Sequence, residues 1–94
     1  MLKRYVIERD IPAVGSMTAQ QLCDASRTSN AALAQLSPKV QWQHSYVTKD
    51  KTFCIYLAES EDMVREHARL SGFPASKITE AATIIDPTTA RAAA

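Results

Sequence analysis

The order of patterned segments predicts a ferredoxin-like α+β fold, βαββαβ, with a four-stranded antiparallel sheet and two helices on one face. Three observations carry that expectation. Four short runs rich in β-branched and aromatic residues occur at 2–9, 40–47, 52–58 and 77–85. Two segments with helical spacing of apolar residues fall after the first and the third of these runs. A short polar turn around Lys49-Asp50 joins the second run to the third, which reads as a β-hairpin. The expected organisation is one domain over residues 1–87, followed by a small, polar, flexible tail over 88–94.

The first run, LKRYVIER, interleaves charges with Tyr5, Val6 and Ile7, as a strand does. Asp10 to Gly15 then breaks the pattern with proline and glycine. Thr18-Ala19-Gln20-Gln21 fits a capping box, in which the Thr18 hydroxyl accepts from a backbone N–H and Gln21 reaches back. Met17 and Leu22 suit the accompanying hydrophobic staple. Leu22, Ala25, Ser29, Ala32, Leu33 and Leu36 recur at helical spacing. The helix should stop near Ser37, because Pro38 disfavours a helical residue before it. Ser60 can cap the second helix, with Glu61 and Asp62 favourably placed in its first turn. Gly72 and Pro74 mark its end near Ser71. KITEAATII reads as the last strand, ended by Asp86-Pro87.

Composition narrows the function classes. The 94 residues are 46% hydrophobic and 22% charged, which is ordinary for a globular chain. Net charge is +1, with no basic run, so the electrostatic footprint of a nucleic-acid binder is missing. No stretch approaches the roughly 18 apolar residues of a membrane span, and the start lacks a secretory apolar core. The expectation is a cytoplasmic protein, with no nucleic-acid or membrane partner, whose two cysteines remain thiols. There is no Cys-x-x-Cys pair. With only Gly15 and Gly72, no phosphate-cradling loop exists. So small a domain is marginal alone, so a second copy covering the open sheet face is expected.

The two histidines stand out. His44 lies in the strand-like run Val40 to Val47, and His67 on the inward stripe Met63, Val64, His67, Ala68 and Ser71 of the second helix. Neutral imidazole is a common transition-metal ligand. A core histidine with one satisfied hydrogen bond is the plainer use of such a position. Strand parity puts Val40, Trp42, His44 and Tyr46 on one face. A hairpin with a two- or four-residue loop sets His44 on the face of Phe53, Ile55 and Leu57, the most apolar face and so the expected helix-covered one. A three-residue loop or a bulge moves His44 to the face of Cys54 instead. Cys54 is either a small buried hydrophobe or a soft ligand. Cys23, on the rim of the first helix, reads as inert. Glu8 would pair with Arg4 on its own face, line a dimer interface, or add an oxygen to a metal site. Nucleophilic catalysis has little support, because nothing near Cys54 orients a base.

Several motifs together resemble a known family: Tyr5 to Pro12, Trp42 to Thr48, Asp50-Lys51-Thr52, Val64 to Ala68, Gly72 to Ala75 and Ile85 to Thr88. They are similar to those of small bacterial proteins catalogued as a domain of unknown function, some of which are described as nickel-binding. The likeness spans about residues 4–90. It implies a ferredoxin-like protomer, a dimer through the open sheet face, and Ni²⁺ as the ligand. It also implies metal roles for His44, Cys54, His67 and Glu8.

Two other readings stay open. One is a dimeric α+β-barrel enzyme or haem-binding or small-ligand-binding protein, with His44 or His67 as ligand or base and Trp42 and Tyr46 lining a pocket. The short chain argues for little spare volume there. The other is a plain interaction module whose histidines are packed. Mixed N/O/S donors also suit Zn²⁺ or Cu²⁺, so only the resemblance favours nickel.

Overall fold

A computed structural model describes residues 1–91. In chain order it comprises β1 (Lys3–Asp10), a 3₁₀ turn (Val14–Ser16), α1 (Ala19–Leu36), β2 (Val40–Val47), β3 (Lys51–Ala58), α2 (Glu61–Ser71), β4 (Lys77–Ala81) and a second 3₁₀ turn (Pro87–Ala90). The sheet order is β2-β3-β1-β4, with every neighbouring pair antiparallel. This is the expected ferredoxin-like arrangement.

The helix ends form where the local chemistry puts them. Thr18 Oγ1 accepts from Gln21 N at 3.1 Å, and Gln21 Oε1 accepts from Thr18 N at 2.9 Å, completing the box. Ser60 Oγ accepts from Met63 N. Gly72 ends α2 in the left-handed region at φ 78°, where glycine carries no Cβ penalty. On the outer side of α2, Arg65 pairs with Glu61 at 2.9 Å and Arg69 with Glu66.

One face of the sheet is covered and the other is open. Tyr5 and Ile7 of β1 and Cys54, Tyr56 and Ala58 of β3 are buried with Val64 of α2, and Leu33 and Leu36 of α1 pack on the same cluster. The covered face of β3 is therefore Thr52, Cys54, Tyr56 and Ala58, not the Phe53, Ile55 and Leu57 stripe that its apolarity suggested. The register explains this. Tyr5 pairs with Tyr56 and Ile7 with Cys54, so the side of β1 that carries its bulky apolar residues fixes the side of β3. Phe53, Ile55 and Leu57 share the open face with Val6 and are half-buried.

A bulge divides β2. Gln43 is the extra residue, between Trp42 opposite Tyr56 and His44 opposite Ile55. Trp42 consequently turns to the covered side, where its Nε1 donates to Ser45 Oγ at 2.9 Å, while His44 and Tyr46 face the open side. The expected grouping of Trp42 with His44 does not hold, because one inserted residue reverses parity. At the C-terminal end, β4 stops at Ala81, four residues before the expected Ile85, and Ile84 and Ile85 are exposed. Residues 87–90 form a turn capped by Asp86, so 88–90 of the stretch expected as a flexible tail are in a 3₁₀ turn. Residues 92–94, the end of that tail, lie outside the described residues.

Candidate functional site

The four residues singled out for a metal divide between the two sheet faces. His44 is exposed on the open face, its ring edge-on to Tyr46 with centroids 5.2 Å apart. Glu8 is on the open face too, but not beside His44. It pairs in register with Phe53, which lies two residues from the Ile55 opposite His44. Two strand spacings and two residues separate them, about 12 Å between Cα atoms. Glu8 does not meet Arg4 either. Its carboxylate lies 3.8 Å from Lys51 Nζ and 4.0 Å from Lys77 Nζ, while Arg4 donates to Gln43. Cys54 and His67 are buried on the covered side. Among the described residues, no group of three or more His, Cys, Asp or Glu side chains is placed to hold a metal ion. The donors of a single chain thus do not form the mixed four-residue site.

His67 sits at one end of a buried polar chain centred on Ser29. Its Nε2 is 3.2 Å from Ser29 Oγ, which is 3.5 Å from the Tyr56 hydroxyl. The Tyr56 and His67 rings are tilted against each other at 5.0 Å. Nδ1 of His67 is buried without a partner. Burial, with the Arg9 charge second, lowers the His67 pKa to about 4, so the ring is neutral at physiological pH. Burial also raises the Tyr56 pKa, so its hydroxyl keeps its proton. The Ser29–His67 pair is a weak prospect for nucleophilic chemistry, since nothing orients the base and its pKa lies far below neutrality.

Arg9 is the residue that strand patterning alone did not single out. It is 2% exposed on the covered face, following Tyr5 and Ile7 in alternation. Its Nη1 donates to the Pro74 carbonyl at 2.8 Å, and the guanidinium carbon lies 5.9 Å from the centres of both the Tyr56 and the Phe73 rings. Its Nη2 is buried with no hydrogen-bond partner. Among the described residues, no carboxylate lies within salt-bridge distance of it. The signal in the sequence was a charge in phase with two buried residues.

Arg9, Ser29, Cys54 and Tyr56 also line a cavity of about 210 Å³ between the sheet and the N-terminal half of α1. The short chain does leave room between its layers. The reason lies in α1, where Ala25, Ser26 and Ser29 face the sheet and are too small to fill the gap. The room is limited. A cavity of roughly 150 Å³ admits benzene, so this one is far short of a porphyrin.

The family model described as nickel responsive protein SCO4226-like matches residues 5–81 of the chain. The protein belongs to the SCO4226-like family. Its fold is similar to the crystal structure of SCO4226 from Streptomyces coelicolor A3(2), with a TM-score of 0.73 at 15% identity, covering 87% of this chain and 99% of that one. At such identity the likeness shows the fold of this SCO4226-like protein and not its site. No curated protein matches the chain. No helix among the described residues is long and apolar enough to cross a membrane.

Proposed function

We propose that this SCO4226-like protein binds divalent nickel as a cargo ion and buffers it in the cytoplasm, with His44 as the leading donor. The observation that supports this reading is the position of His44, an exposed imidazole on a sheet face that no helix covers. An ion reaches it without opening the core. A ring nitrogen suits Ni²⁺, Zn²⁺ or Cu²⁺ alike, and Cu²⁺ binds tightest where geometry is unconstrained. The preference for nickel therefore rests on the family description, not on the donors.

One copy offers too few ligands. Two copies meeting through the open face about a two-fold axis would each contribute a His44 and a Glu8, and an antiparallel overlap would set His44 of one copy against Glu8 of the other. Support for such a dimer comes from the half-buried strip of Val6, Phe53, Ile55 and Leu57 and from Tyr46, 60% exposed beside it. Ile84 and Ile85 beyond β4 add apolar surface that one copy leaves in water. In this reading Cys54 and His67 serve the core. Binding Ni²⁺ there would mean seating an ion in the buried core beside an uncompensated guanidinium.

Thermal unfolding of metal-stripped protein, with and without Ni²⁺, tests the reading. A ligand of the folded state stabilises it by about 2.7 kcal/mol at a hundredfold excess over its dissociation constant. The expected outcome is a rise in Tm that His44→Ala removes. An equal rise in wild type and His44→Ala would refute His44 as the donor.

A further inference from the structure

We propose that the cavity between the sheet and α1 is a binding site for a small monocarboxylic acid with a compact apolar body, its carboxylate received by Arg9. This goes beyond the metal reading and is independent of it, since the cavity lies on the opposite sheet face from His44.

Two separate features point to that ligand. The first is the cavity. Its surface is almost wholly apolar, and its volume of about 210 Å³ exceeds the roughly 150 Å³ that takes benzene. Val14, Met17, Leu22 and Trp42 surround it. An aromatic ring or a short branched chain fits such walls, whereas a sugar or a nucleotide finds almost nothing to hydrogen-bond.

The second is Arg9. A guanidinium presents five N–H groups, and burying one without a counter-charge is costly. Here one arm has the Pro74 carbonyl and the other has no hydrogen-bond partner. Positive charge without a carboxylate nearby selects an anion, and the planar fork suits a carboxylate in particular. Ser29, which also lines the cavity, offers a hydroxyl already engaged with His67 and Tyr56. Among the described residues, no buried acid competes for the guanidinium.

The free N–H group of Arg9 is shielded from solvent, with the half-buried Phe73 ring against the guanidinium. Phe73 and Pro74 belong to the segment between α2 and β4, which has no regular secondary structure. The carboxylate reaches Arg9 by displacing the Phe73 ring, while the apolar body enters the existing cavity. Recognition is thus part preformed and part fitted, and the loop carrying Phe73 is the piece that moves.

The test is titration of the full chain with benzoate and phenylacetate, followed by amide chemical shifts and carried out in EDTA so that metal binding has no part in it. Benzyl alcohol, which carries the same ring and is close in size but uncharged, is the comparison. The expected result is saturable shifts in α1 residues 22–29 and in 72–75, with the better acid binding at least tenfold more tightly than the alcohol. Arg9→Met should abolish that preference. Ser26→Leu, which fills the cavity and leaves Arg9 in place, should abolish binding of acid and alcohol together. No saturable shifts with either acid would overturn the proposal. So would acid and alcohol of equal affinity, or unaltered acid binding in Ser26→Leu. If Arg9→Met does not fold, the alcohol comparison and Ser26→Leu decide.

Discussion

Mild acidification should destabilise the fold through His67. The imidazole is fully buried, and its folded pKa of about 4 lies below the ordinary 6.5. The unfolded chain therefore binds a proton on falling through pH 6.5, while the folded chain refuses it until about pH 4. In that window the unfolded state holds more protons, so stability rises with pH and is lost as pH falls. The drop from 6.5 to about 4 corresponds to roughly 3 kcal/mol, and about 2 kcal/mol of it is lost between about pH 8 and about pH 5. The neighbours facing the ring are Arg9, Ser29 and Tyr56, and none of them changes charge in that range. The perturbation is His67→Gln, whose amide can still reach Ser29 but cannot take up the proton. Urea unfolding of both proteins at several pH values isolates the difference. Wild type should lead the variant near pH 8, and the gap should shrink by about 2 kcal/mol at about pH 5. Parallel curves would refute the reasoning, because they would mean that the folded ring takes up its proton as freely as the unfolded one.

Three further outcomes follow from the geometry. Gly15→Ala should cost about 1–3 kcal/mol in urea unfolding, because the new Cβ would lie 2.7 Å from the Thr48 carbonyl oxygen and 2.9 Å from Lys49 Cα, both main-chain atoms; an unchanged midpoint would contradict that packing. Thr18→Ala removes one half of the α1 capping box and should cost about 1 kcal/mol by the same assay. Phe53→Lys places a charge in the middle of the open face and should convert a wild-type dimer to monomer in sedimentation equilibrium; a monomeric wild type at high concentration would remove the dimer from the account.

Most of the fold is legible in the chain because its signals are local. Thr18 with Gln21, Ser60, Gly72 and the polar turn at Lys49-Asp50 each act within a few residues, and each lies where its chemistry dictates. The failures concern relations between strands. Phe53, Ile55 and Leu57 are more apolar than Thr52, Cys54 and Tyr56, yet helices cover the latter, since pairing with Tyr5 and Ile7 decides the face. The bulge at Gln43 leaves no mark in composition, and it alone separates Trp42 from His44. His67 was readable as buried from its helical stripe. What its ring and Arg9 lack could not be read, because a missing partner is a property of packing. The last strand was overestimated because Ile84 and Ile85 look like core residues, although one copy of the chain gives them nothing to pack on.

The most direct test of the metal reading is a calorimetric titration of metal-stripped protein with Ni²⁺, comparing wild type, His44→Ala and His67→Gln. With His44 as donor, wild type binds saturably, His44→Ala loses affinity at least tenfold, and His67→Gln stays near wild type. Binding that survives His44→Ala and disappears in His67→Gln would place the ion on the covered face and refute His44 as its donor.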